Sequence, residues 1–122
     1  DNIIKLNRGT IYRKLAFYLE DENGAAMDVS DLTSNIQLLF NQADTPYNVS
    51  AAMLRYINTA HMGMEMPKGL FVFDFSSQGE EVGVGGTRDL VDTERLQEFW
   101  LKFATTKGGN ITVMSENLTR LK

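Results

Sequence analysis

The side chains able to do chemistry in this 122-residue chain are few and poorly matched to one another. His61 is the only histidine, and there is no cysteine. A nucleophile–histidine–carboxylate triad, a histidine-rich metal site and a thiolate zinc site all need partners that the chain lacks. Asp74, Asp89 and Asp92 are the carboxylates that could supply an acid–base pair. Asp74 follows three apolar residues, so its carboxylate is expected to be partly buried and to want a cation, Arg88 or Lys68. An ion pair or turn hydrogen bond fixing a strand end is the favoured reading. Gly83-Val84-Gly85-Gly86 has the glycine density of a phosphate loop but lacks the following Lys-Ser/Thr, and no helix clearly opens after it. It reads as a flexible surface loop that becomes ordered against a neighbouring subunit. Asn-x-Ser/Thr triplets begin at Asn48, Asn110 and Asn117. No signal peptide is visible, so they read as incidental. No catalytic residue, metal ligand or cofactor is assigned, and the chain is expected not to be an enzyme.

Bulk properties narrow the classes further. The length fits one domain, residues 1–122, able to bury roughly two-thirds of its unfolded surface. The net charge is −4 and the basic residues are scattered. Phosphate contacts need clustered Lys and Arg, so no nucleic-acid-specific contact is expected. No apolar run reaches the roughly 18 residues of a membrane span. The first residue is Asp1 rather than methionine, and the expectation is a processed chain or one piece of a longer or two-chain protein.

The elements that must position these residues are mostly strands. Residues 2–6 form a short β-branched run. Across residues 10–19, Ile11, Leu15, Phe17 and Leu19 fall on one face and Tyr12, Lys14, Ala16 and Tyr18 on the other, with Arg13 interrupting the apolar row. Asn23-Gly24 marks a turn. A short return strand is expected at 25–29, a strand at 35–40 and a loop at 41–46. Ser50 is a plausible N-cap for a helix over 51–62, with Gly63 as its stop. Met53, Leu54, Ile57, Ala60 and His61 recur at spacings of three and four, along one face. His61 reads as a cap at the helix end, where an imidazolium suits the helix dipole. Residues 70–75 form an aromatic strand with Phe71, Phe73 and Phe75 on one face. Residues 76–86 read as a long loop, and 88–96 as holding a short helical turn. Residues 97–105 form a strand with Phe99, Leu101 and Phe103 inward. Lys107-Gly108-Gly109 reads as a hairpin turn into a last strand over 110–118, with Ile111 and Val113 on its inner face.

Six to eight short strands joined by turns, with one inserted helix near residues 50–62, suit a mainly β jelly-roll sandwich of about eight antiparallel strands. The phenylalanines at strand period read as its core. Tyr12, Tyr18 and Trp100 lie opposite the main apolar rows, and amphipathic aromatics are favoured at interfaces. They are the candidate interface residues, together with Gly83, Gly85 and Gly86.

In its order of elements the chain resembles one jelly roll, most like the second, of the double-jelly-roll major capsid proteins of tectivirus- and corticovirus-type viruses. The resemblance is carried by Leu6-Asn7-Arg8-Gly9-Thr10-Ile11-Tyr12-Arg13-Lys14-Leu15 as an opening strand pair, and by a strand and edge helix over residues 36–62. It continues through Met66-Pro67-Lys68-Gly69-Leu70-Phe71-Val72-Phe73-Asp74-Phe75, like the family's Pro-x-Gly followed by an aromatic strand ending in Asp. Asp89-Leu90-Val91-Asp92-Thr93 and a closing hairpin over residues 110–118 complete it. The departure is size, because the family's chain holds two jelly rolls and this one has room for one. The resemblance implies an icosahedral capsid building block, located in the virion shell. Its partners would be other copies of itself or a companion jelly-roll chain in a trimeric capsomer, in proximity to an internal viral membrane. A carbohydrate- or receptor-binding module is the alternative, and it predicts exposed aromatics in a polar groove.

Overall fold

Alternating apolar and polar residues give the chain its strands, and the strands close into two facing antiparallel sheets. A computed structural model of the chain describes residues 2–41, 44–75, 91–93, 96 and 98–118. The elements run β1 (Asn2–Lys5), β2 (Ile11–Asp21), a 3-10 turn at Val29–Asp31, β3 (Ile36–Phe40), β4 (Asp44–Val49), α1 (Ala51–Met62), β5 (Leu70–Asp74), β6 (Val91–Asp92), β7 (Phe99–Phe103) and β8 (Gly109–Leu118). One sheet is four strands wide, in the order β1-β7-β3-β4. In the other, β2 is central. β5 pairs it along Lys14–Tyr18 and β6 continues the same edge at Ile11 and Tyr12, while β8 pairs it along the opposite edge. That sheet is therefore three strands wide.

The core is where the inward rows meet. Leu15, Phe17 and Leu19 of β2 face Ile36 and Leu38 of β3 and Phe99, Leu101 and Phe103 of β7, all buried. Phe17 ties the layers together, stacking on Phe71 of its own sheet at 5.5 Å and on Phe103 of the facing sheet at 6.1 Å. Tyr47 meets Phe73 and Phe75 edge-on. Such aromatic contacts add to the burial of large rings, which dominates the stability of a sandwich.

Several expectations change. β2 carries a bulge between Tyr12 and Lys14. One extra residue flips the pleat, so Tyr12 joins the buried row and Arg13 is put outside. Tyr12 is thus a core residue and not an interface one: its ring meets Phe99 at 5.0 Å and its hydroxyl donates to the Asn7 carbonyl at 2.7 Å. Residues 44–46, read as loop, belong to β4. This is the outermost strand of its sheet, where Pro46 is tolerated because an edge strand has free N–H positions. The return strand at 25–29 reduces to a single bridge between Glu20 and Ala26. Val91–Asp92 is a short strand, and Leu96 N–H donates to the Thr93 carbonyl; residues 88–90, 94 and 95 of the expected helical turn lie outside the described residues. The first two strands do not pair with each other, because β1 pairs β7. Nor is Lys107-Gly108-Gly109 a hairpin: β7 and β8 lie in different sheets, so the chain crosses between layers there. Gly109 is required by that crossing, since a Cβ on it would stand 1.9 Å from the Glu20 carbonyl oxygen.

Candidate functional site

The three-stranded sheet has two edges of opposite character, and these are the surfaces on which the chain can act. The β5 edge is covered by α1. Ser50 Oγ accepts from the Met53 N–H at 3.1 Å, and Gly63, left-handed at φ 68°, donates to the Thr59 carbonyl, so both helix ends stand where the capping residues place them. The buried stripe is Ala51, Leu54, Ile57 and Asn58. Met53, Ala60 and His61, expected on that face, are instead exposed. Asn58 is 2% exposed and uses its amide as a surrogate peptide group. Its Nδ2 donates to the Val72 carbonyl at 2.8 Å and its Oδ1 accepts from the Val72 N–H at 3.0 Å. Both outward backbone groups of β5 at that point are satisfied by one side chain. Arg55 donates to the Met66 carbonyl at 2.7 Å and so ties the segment entering β5 to the same helix.

Among the described residues the β8 edge has no such cover. Val113, Met114 and Leu118 are 36, 48 and 43% exposed, although Val113 stands in register with the fully buried Phe17. The phase of its backbone follows from Asn58. Because Val72 directs its N–H and carbonyl away from β2, the opposite residue Ala16 directs its own toward β8. Ala16 pairs with Met114, so Met114 bonds inward and its neighbours Val113 and Ser115 point their backbone groups out of the sheet. Ile111 and Asn117 share that outward phase.

The outer face between these edges holds a cleft of about 350 Å³, lined by Ala16, Leu70, Val72, Met62, Met66 and Met114. Lys14, Asp74 and Glu116 stand at its charged side, with Lys14 between the two carboxylates in strand register. Glu116 also takes a 2.8 Å ion pair from Arg13. Of the two cations expected for Asp74 from the sequence, Lys68 reaches Asp28 at 3.7 Å, and Arg88 lies outside the described residues. The group is a charge ladder on a sheet face. Among the described residues no three of His, Asp and Glu converge to hold a metal.

Tyr18 is half-buried on this outer face, whereas Trp100 is half-buried on the outer face of the other sheet, opposite Lys5 and Leu39. The two are not brought together. Gly83, Gly85 and Gly86 lie outside the described residues, as do Asp89 and the rest of residues 76–90. Two residues that the sequence reading passed over hold the sheet edge. One is Asn58, whose signal was a polar residue on the Ala51–Leu54 stripe. The other is Thr93, fully buried, whose Oγ1 donates to the Thr10 carbonyl at 2.6 Å and accepts from the Thr10 N–H at 3.1 Å.

No protein-family model and no curated protein matches the chain. Among solved structures, it is similar to the STIV MCP, with TM-score 0.73 and 16% identity over 93% of this chain and 34% of that one. It is also similar to the major capsid protein P2 from bacteriophage PM2, with TM-score 0.68 and 15% identity over 95% of this chain and 44% of that one. The fold is a jelly roll of the kind these proteins contain, as the order of elements in the sequence implies. The chain spans well under half the length of either.

Proposed function

We propose that the chain is a structural virion protein, a capsid building block that acts through contacts between subunits and not through catalysis. The observation that carries this reading is fold likeness over more than nine-tenths of the chain to two major capsid proteins. The surfaces fit it. The working features are edges, exposed methionines and an apolar cleft, which are means of packing against another β domain. On this reading the chain is one jelly roll of a larger unit, joined by other copies or a companion roll in a trimeric capsomer.

The carbohydrate-binding alternative draws no support from the described residues. The cleft is lined by aliphatic side chains and methionines, and the most exposed aromatic, Tyr56, stands on the helix outside it. The test is native mass measurement of the particle that contains the chain, together with fluorescence of Trp100, the only tryptophan. Assembly into a closed shell with a blue-shifted Trp100 emission is expected. A strictly monomeric protein at high concentration, with no partner chain, would overturn the proposal.

A further inference from the structure

We infer that the outer face of α1 packs against the same face of a second copy, antiparallel across a two-fold axis. The chain makes this contact alone in solution, so it stands apart from the shell reading.

A helix on a domain surface ordinarily turns charged and polar side chains to water. α1 is built otherwise. Its twelve residues include no Asp, Glu or Lys, and its one arginine, Arg55, is bound to the Met66 and Pro67 carbonyls. Opposite the buried stripe stand Ala52, Met53, Tyr56 and Ala60, at spacings of three and four. Tyr56 is 70% exposed and Met53 51%. The helix thus carries two apolar stripes, and a helix that is apolar on both faces is suited to burial on both.

The second stripe is complementary to itself. Tyr56 lies between Ala52 and Ala60 on one ridge of the helix, a large side chain flanked by two small ones. A two-fold axis at the level of residue 58 opposes Tyr56 to Ala60 of the second copy, Met53 to Gly63 and Met64 to Ala52. Each pair joins a large side chain to a small one, and the symmetry makes each pair twice. Gly63 leaves the room that Met53 needs, since a Cβ built on it meets nothing within 4 Å. Tyrosine and methionine are also the residue types enriched where proteins meet. From Ala52 to Gly63 the stripe is about 17 Å long. It buries less than about 1,000 Å², which makes the contact weak, with a dissociation constant on the order of 0.1–1 mM.

The test uses the full chain, which has no cysteine of its own. Ala52→Cys and Met64→Cys chains are mixed at about 0.5 mM, near that constant, with oxidised glutathione as oxidant. The inferred register brings these two positions together, whereas like positions stand about 18 Å apart along the axis, too far for a disulfide. The mixed disulfide is expected to exceed either like pairing by at least about tenfold. Ala60→Glu and, independently, Tyr56→Ala are expected to abolish that excess; both residues are exposed, so the monomer keeps its fold. Sedimentation of the unmodified chain is expected to show mass rising toward a dimer with concentration. Added salt should leave that rise intact, because no charge stands on the stripe. Monomer mass throughout, or equal yields for all cysteine pairings, would overturn the inference. So would an Ala52→Cys thiol that resists thiol reagents in the dilute monomer, since the stripe is then covered by its own chain.

Discussion

The two edges of the three-stranded sheet share a central strand and face opposite fates. At β5 a buried asparagine from α1 occupies both free backbone groups of Val72, and the helix covers what remains. At β8 a ten-residue strand has, among the described residues, no partner on its outer side, and its apolar row is half-covered. The sheet is not open because its fold is unfinished everywhere. One edge carries a dedicated plug, and that makes the bareness of the other informative.

The largest effect is expected at the plug. Asn58→Leu fills the same space but strands the Val72 N–H and carbonyl, costing about 2–3 kcal/mol in urea unfolding. Exchange at the Val72 amide should rise with it, and an unchanged midpoint would show that the plug is not what closes the edge. Gly109→Ala comes next. Its methyl would stand 1.9 Å from the Glu20 carbonyl oxygen, so the start of β8 must shift, at a cost of about 2 kcal/mol. A loss confined to β8 would show that the open edge can detach while the closed one holds.

Titration separates the edges differently. Burial raises the Tyr12 phenol above its ordinary 10.0, and a hydrogen bond with Asn117 of β8 opposes the rise. The folded state holds this proton more tightly than the unfolded chain. Stability is therefore unaffected below the ordinary value and falls as pH climbs through the unfolded and then the folded pKa. Tyr12→Phe should flatten the alkaline limb of a stability–pH curve. The smallest effect belongs to Glu116→Gln on the bare edge. The Arg13–Glu116 pair is about half exposed on both sides, so its loss should change unfolding free energy by less than about 0.5 kcal/mol.

The sequence made the helix legible to the residue. Ser50, the apolar spacing and Gly63 are local signals, and local chemistry decides where a helix starts and stops. The inward phenylalanines of β5 and β7 were legible for the same reason, since period two is a local property. Pairing was not. β7 and β8 follow one another through Gly108-Gly109, yet they lie in different layers, and nothing local distinguishes a crossing from a hairpin. The bulge was hidden too, although Arg13 in an apolar row was its trace; reading through it sent Tyr12 to the surface. Asn58 carried a signal that only its buried neighbours make meaningful. A polar side chain on an apolar stripe is readable as odd, but its partner lies fourteen residues away, on a strand edge.

The asparagine plug has a further meaning in the language of polymer chemistry. A monomer with two reactive ends grows without limit; a monomer with one stops after a single coupling. By silencing β5, Asn58 leaves this sheet monofunctional toward strand addition. Strand addition at one side of this sheet could not be passed on through Val72 at the other, because Asn58 already occupies its N–H and carbonyl.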